Sequence, residues 1–395
     1  MNAPTSQSPE TLASTKKRQS KMNRKYLFTL LIVNSLFIST IYGQKPAIDS
    51  FIIKEIQKLH IAGFAAIAID SNKIVWQGYY GYQNVEKKIP VTERTLFMIA
   101  STSKTVTAAA LMQLYAIGKF HLDDDINKYL DFKVVNPNYP KIPITFRQLL
   151  RHRSSIADNG DYLGQFWDIN KGDPTIPLNV FLKNYLSSSG NHYDKAKNFY
   201  NYTPNAEFHY SNIGIALIGY LVERISGEPF SKFCKIKMFE PLSMNHTGWF
   251  LRDVDSTEVA MPYQYSDSLQ KYIPYGYGGY PDYPAGELRT SAEEFAHFLL
   301  AWTNKGKWNN KQIFDSAAIQ TLTPKDFNLG FHTWFLYGTE KGKILYSHAG
   351  ADLGVSTFVS YNPKDKKGLI FLTNGELIKW VDWDKIINMF YNNLF

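Results

Sequence analysis

The 395-residue chain predicts an α+β fold: one antiparallel sheet built from both termini, flanked by terminal helices, with an all-helical inserted subdomain. Three observations predict it. Strand patterns cluster near both ends, at 63–76 and 344–373. Helical patterns and long loops fill the middle. Amphipathic stretches open the mature region and close the chain. The division that follows is an α/β subdomain from 44–110 plus 285–395 and a helical, loop-rich subdomain at 111–284.

In chain order, residues 1–21 are polar and rich in Ser, Thr and Lys, which predicts a disordered tail. Residues 26–42, YLFTLLIVNSLFISTIY, carry no charge, follow a basic run and precede Gly43-Gln44. That is the layout of a signal peptide over 22–43, with Met22 as an alternative start, and it implies an exported protein, periplasmic or secreted. An uncleaved membrane anchor through 26–42 is the other reading, although the stretch is short for a stable span.

Residues 46–60 place Ile48, Phe51, Ile52, Ile56 and Leu59 on one helical stripe. Gly63–Asp70 reads as a buried strand, Asp70–Lys73 as a turn and Ile74–Trp76 as the returning strand. From Thr102 to Ile117 the pattern is helical, with Gly118 as the stop. Thr145 and Gln148 form a capping box. Residues 160–208 read as loop-rich. A helix at 213–226 ends at Gly227 and Pro229. Residues 261–285 hold seven tyrosines, which either pack the loop itself or wall a cleft. Ser291 and Glu294 cap a helix carrying Phe295, Phe298, Leu299 and Trp302. Strands follow at 344–347, 355–361 and 368–373, then a closing helix at 378–394.

Composition excludes several functions. The net charge of +8 falls to +3 once residues 1–43, with six Lys/Arg and one Glu, are set aside. No basic stripe with interleaved aromatics remains, so nucleic-acid binding is not expected. The single cysteine, Cys234, lies among Phe233, Ile236 and Phe239 and reads as a small buried hydrophobe. No His-Glu-x-x-His helix, Gly-x-Ser-x-Gly elbow or phosphate-binding glycine loop occurs. Asp123-Asp124-Asp125 reads as a solvated run, not a metal site.

Three short motifs in fixed order carry the chemistry: Ser101-Thr102-Ser103-Lys104, Tyr210-Ser211-Asn212 and His348-Ala349-Gly350. Ser-x-x-Lys also occurs at Ser14 and Ser268, but only Ser101 opens a helix directly after an apolar segment. There Lys104 lies one turn on, beside the hydroxyl, and burial would favour its unprotonated form. Tyr210 stands just before a strong helix. His348 ends a strand, whereas His246-Thr247-Gly248 lies in a connecting turn. Gly350 would let a substrate backbone approach closely. A serine nucleophile with two proton-moving groups and a polar strand edge is the inventory for acyl transfer.

With these residues in hand, the chain resembles the serine β-lactamase and penicillin-binding-protein superfamily, in the class C β-lactamase-like branch with D-Ala-D-Ala carboxypeptidases, D-amino-acid amidases and esterases. The resemblance covers about residues 46–375 and includes Thr95–Ser101, Leu149–His152, Pro241–Met244 and Pro284-Ala285-Gly286. It implies a β-lactamase-like fold and a hydrolase forming an acyl-enzyme on Ser101. Lys104 and Tyr210 would share proton transfer. Asn212 would bind Lys104 and a substrate amide. His348 would stand where many β-lactamases carry lysine, and the N–H groups of Ser101 and Ala351 would form the oxyanion hole. No cofactor or metal is implied, and the partner is a small-molecule or peptide substrate: a D-amino-acid peptide, a β-lactam or a small ester. A non-hydrolysing penicillin-binding or sensor protein on the same fold is the alternative. Two departures bear on substrate choice: Ser155 and Glu287 stand where the family often has glycine.

Overall fold

The first strand explains why the sheet needs both ends of the chain. In β1 (Gly63–Asp70) every position but the last is buried. A strand covered on both faces reads as a continuous apolar run, and it requires a neighbour on each edge. β2 (Lys73–Asn84) supplies one edge by a hairpin, and the strand nearest the C-terminus supplies the other. The computed structural model of the protein describes residues 46–166, 172–323, 333–377 and 380–395. The expected tail and signal peptide lie outside the described residues.

Adding β3 (Ile89–Pro90), β4 (Phe335–Gly338), β5 (Ile344–Asp352), β6 (Val355–Asn362) and β7 (Lys367–Thr373) gives an antiparallel sheet in the order β4-β5-β6-β7-β1-β2-β3. β5 extends past Ser347 to Asp352, so His348–Gly350 lie within the strand and not at its end. β4 pairs only with Ile344–Ser347. The outer edge of β5 from His348 to Asp352 therefore has no strand partner among the described residues.

Helices cover both faces. α1 (Pro46–Lys58) buries Ile48, Ile52 and Ile56, and α6 (Trp380–Asn393) buries Trp383, Ile387 and Phe390, against Phe64, Trp76, Phe358 and Phe371 of the sheet. On the other face, α2 (Ser103–Ala116) and α5 (Ala292–Thr303) share a core with Ile67, Ile69, Val359 and Ile370. α4 (Asn212–Ser226) packs on α2, and Gly227 ends it in the left-handed conformation, φ +76. Glycine adopts that conformation without penalty.

The structure adds detail to three local readings. The stretch read as loop-rich contains α3 (Leu178–Leu186), which buries Leu178, Phe181, Leu182 and Tyr185. Its apolar face is regular, but nine residues between polar, glycine-containing segments give the pattern little length in which to show. Ser291 caps α5, yet the Glu294 carboxylate does not return to it; it accepts from the His246 N–H and the Thr247 hydroxyl. The aspartates at 123–125 are engaged: Asp123 pairs with Arg147 at 2.6 Å, Asp124 with Lys128 at 2.8 Å, and Asp125 caps the turn at Ile126–Lys128. Cys234 is fully buried. Among the described residues no helix is long and apolar enough to cross a membrane.

Candidate active site

Ser101 lies in a tight turn, Ala100–Thr102, that feeds directly into α2. The turn holds strain: Ala100 has φ +46, where a β-carbon is disfavoured. The sheet holds the turn in place. The Thr357 hydroxyl of β6 donates to the Ile99 carbonyl at 2.8 Å and accepts from the Thr102 hydroxyl at 2.9 Å.

Gly350 completes the fit, in a way the sequence reading did not anticipate. A β-carbon there would lie 2.5 Å from the Ile99 carbonyl oxygen and 3.1 Å from the Ser101 nitrogen. The space over the Gly350 α-carbon is filled by this chain's own turn, so the glycine seats the serine.

Lys104, one helical turn on, is fully buried. Its Nζ donates to Ser101 Oγ at 3.0 Å and to the Ala285 carbonyl at 2.6 Å, and lies 5.0 Å from the centre of the Tyr210 ring. The motif around Pro284-Ala285-Gly286 thus acts through a backbone carbonyl.

Tyr210 is positioned by His152, a residue the sequence reading quoted but gave no role. The imidazole stacks on the Tyr210 ring at 4.5 Å, and its Nδ1 accepts the Ser211 N–H at 3.1 Å. The His152 carbonyl accepts the His209 N–H at 2.8 Å. One residue therefore grips the chain on both sides of Tyr210. Asp158, also missed, does the same for Asn212: its carboxylate accepts from the N–H groups of Asn212 at 2.7 Å and Ile213 at 3.1 Å, and from the Ser211 hydroxyl at 3.0 Å. A carboxylate at a helix N-terminus satisfies donors that have no partner within the helix. Burial nevertheless holds the Asp158 carboxyl above its usual range. Among the described residues Asn212 makes no hydrogen bond to Lys104; it lines the cleft beside Ser101.

That cleft, about 490 Å³, is also lined by Ala351 and Tyr280. Of the seven tyrosines at 261–285, Tyr280 alone is among the described lining residues. Tyr277 donates to the Val259 carbonyl and Tyr283 packs on Trp249 and Phe250, so these two serve the loop's own packing.

His348 is buried, and its Nδ1 lies 2.7 Å from the Ala349 carbonyl, which assigns the proton to Nδ1. Nε2 is buried with no hydrogen-bond partner among the described residues. Burial, with Lys104 adding to it, pushes His348 down to about 3, so the ring is neutral. His246 is instead partnered with Glu294 at 2.8 Å; neither histidine is among the described residues that line the cleft.

The departures from the resemblance have structural counterparts. Ser155 adopts φ +62, the conformation a glycine would take freely; its hydroxyl accepts from Asn136 and donates to the Ser154 carbonyl. Glu287 is fully buried and accepts the Tyr280 N–H, and burial holds its carboxyl well above the usual range.

Comparisons with known proteins bear on the family and the fold. The Beta-lactamase family profile matches residues 48–379. Protein flp of Staphylococcus aureus (strain MRSA252) is 26% identical over 329 residues, covering 83% of this chain and 62% of that protein. The chain thus spans less than two thirds of that relative's length. Penicillin-binding protein 4* of Bacillus subtilis (strain 168) is 27% identical over 332 residues, 78% of this chain and 67% of that protein. Among solved structures, the octameric penicillin-binding protein homologue from Pyrococcus abyssi superposes with a TM-score of 0.68 at 24% identity, over 88% of this chain and 76% of that one. The D-amino acid amidase from Ochrobactrum anthropi SV3, complexed with L-phenylalanine amide, gives 0.69 at 18% identity, over 88% and 98%. At these identities the solved structures speak to the fold.

The neutral His348 predicts an acid limb in stability. Its folded pKa lies below the unfolded value of about 6.5, so its contribution is complete above that pH and is lost as pH falls toward 3. Replacing His348→Gln removes the titration. Urea unfolding at pH 7.5 and 4.5 should show the stability difference between the two pH values shrinking by about 2 kcal/mol in the variant. An equal difference in both proteins would refute the assignment.

Proposed function

The chain belongs to the β-lactamase family, and from that premise we propose that it is an exported serine hydrolase that cleaves an amide or ester through an acyl-enzyme on Ser101. The observation that carries this reading is the buried Lys104 Nζ, 3.0 Å from Ser101 Oγ and anchored by the Ala285 carbonyl, with Tyr210 against it. Ser101 Oγ attacks the substrate carbonyl carbon, and its proton passes to the Lys104–Tyr210 pair. The two groups act as a coupled unit, so no single base is assigned.

The carbonyl oxygen gains negative charge as the tetrahedral intermediate forms. The N–H groups of Ser101 and Ala351 would receive it, in line with the close seating of the Ser101 turn on Gly350. The pair then protonates the leaving amine or alcohol, the carbon–heteroatom bond breaks, and the acyl group remains on Ser101. Water completes the cycle by the same route, releasing the acid and restoring the hydroxyl. The unpaired edge of β5 from His348 to Asp352 suits an extended substrate backbone.

The substrate class includes D-amino-acid amides and peptides, β-lactams and small esters. The amide alternative draws support from the amidase likeness, the acylated but non-hydrolysing alternative from the penicillin-binding relatives. Incubation with p-nitrophenyl butyrate, followed by intact-protein mass measurement and product release, separates these. The hydrolase reading expects turnover that falls at least about 10³-fold in Ser101→Ala, in the range for loss of an activated nucleophile. A stable mass adduct on Ser101 without repeated turnover would replace it with the non-hydrolysing reading. Equal turnover by both proteins would remove Ser101 from the chemistry.

Gly350→Ala should lower kcat by about 10²-fold, because a small displacement of the nucleophile's turn carries that penalty; a rate within threefold of the unaltered protein would show that the turn relaxes freely. Export through residues 26–42 predicts that protein recovered outside the cytoplasm begins near residue 44 by N-terminal sequencing. A start before residue 26 would support the membrane-anchor alternative.

A further inference from the structure

The cleft beside Ser101 has an electrostatic sign that the acyl-transfer machinery does not require. Three carboxylates line it, Asp282, Asp352 and Glu376, and no lysine or arginine does so among the described residues. Two of the three are engaged. Asp352 accepts the Leu353 N–H at 2.8 Å and the Tyr280 hydroxyl at 3.1 Å, and Glu376 accepts the Gly354 N–H at 3.0 Å.

Asp282 differs. The residue is only 7% exposed, it faces the cleft, and among the described residues no other residue donates to its carboxylate. A buried carboxylate whose sole described donor is its own backbone N–H is costly. Burial, with Asp158 adding to it and Lys104 opposing, pushes Asp282 up to about 7. The nearby cation, Lys104, gives its hydrogen bonds to Ser101 and the Ala285 carbonyl, not to Asp282. Asp282 begins the short turn that ends in Ala285, so it is held in register with the catalytic lysine.

Resting on the acyl-enzyme reading above, we propose that Asp282, supported by Asp352 and Glu376, forms a subsite for a primary ammonium group carried by the substrate. A metal ion fits less well: among the described residues no group of three or more such side chains is arranged to hold one. An ammonium presents three donors and one positive charge to separate acceptors, and it supplies Asp282 with the partner it lacks. Anionic substrates meet three acidic side chains and, among the described residues, no cationic lining side chain. The substrate class is therefore an amine-bearing amide or ester, and a free carboxylate near the reacting carbonyl is disfavoured.

Binding measured without turnover tests this independently of the acyl-enzyme reading. The full chain carrying Ser101→Ala is titrated calorimetrically at pH 8 with benzylammonium and with benzyl alcohol, its neutral counterpart. The expected result is at least tenfold tighter binding of the ammonium. In Ser101→Ala/Asp282→Asn that ratio should fall below threefold, and Asp282→Glu should restore most of it. Equal affinities in the parent, or a ratio that survives Asp282→Asn, overturns the proposal. If Asp282→Asn does not fold, Asp352→Asn decides: the ratio must drop at least threefold, and an unaltered ratio overturns the proposal.

Discussion

A fully buried lysine side chain is the constraint on which the rest of this structure depends. An ionisable amine removed from water is unfavourable unless hydrogen bonds and opposite charge replace the lost hydration. Lys104 obtains these from separate parts of the chain. Ser101 lies three residues before it, Ala285 lies 181 residues beyond it, and the Tyr210 ring covers it from the helical side. The carboxyl groups of Asp158, Asp282 and Asp352 all feel its charge. Satisfying one side chain therefore fixes the mutual placement of α2, the turn at 283–285 and the loop before α4. That placement is also the one that puts a nucleophile, a proton acceptor and a cleft together.

The second constraint is backbone. Ser101 can reach both Lys104 and the edge of β5 only if the chain turns sharply before α2, and the turn places Ala100 at positive φ. Such a residue stores roughly 1–2 kcal/mol, and it persists because the surroundings over-determine it. The Thr357 hydroxyl bonds to Ile99 and Thr102, and the bare face of Gly350 lets the turn descend onto the strand. Strain, glycine and threonine are three parts of one joint between sheet and helix.

Most of the fold was legible because its signals are local. The run Gly63–Ile69 needs only its own residues to declare a strand covered on both faces, and Gly118 and Gly227 mark helix ends by conformation alone. The motif residues were legible for the same reason, since Ser101 and Lys104 share one helical turn. What stayed hidden depends on distance along the chain. His152 meets Ser211 across 59 residues, and Asp158 meets Asn212 across 54. No spacing rule connects such pairs. Gly350 was noticed, but that the chain's own turn lies against it was not, because a glycine declares that something comes close without saying what does. Asp282 belonged to no motif, and its burial without a donor from any other described residue distinguishes it from other acidic loop residues.

These two kinds of information correspond to two kinds of function. The acyl-transfer residues demand fixed types at fixed spacing, because proton transfer and nucleophilic attack work only within hydrogen-bonding distance. They specify a reaction and leave the substrate open. Substrate choice rests on the net field of the cleft, which any surrounding loop can set with one or two side chains. Here the strand position that could have carried a lysine holds a histidine kept neutral by burial, and the cleft residues add only carboxylates. Both choices push the local potential the same way. A positive strand residue would attract a substrate carboxylate and also raise the cost of holding Lys104 nearby. A neutral histidine removes that repulsion, and the acidic lining replaces it with attraction. On the proposed reading, the electrostatics that hold Lys104 and those that would favour a cationic substrate are thus one field acting on two amines.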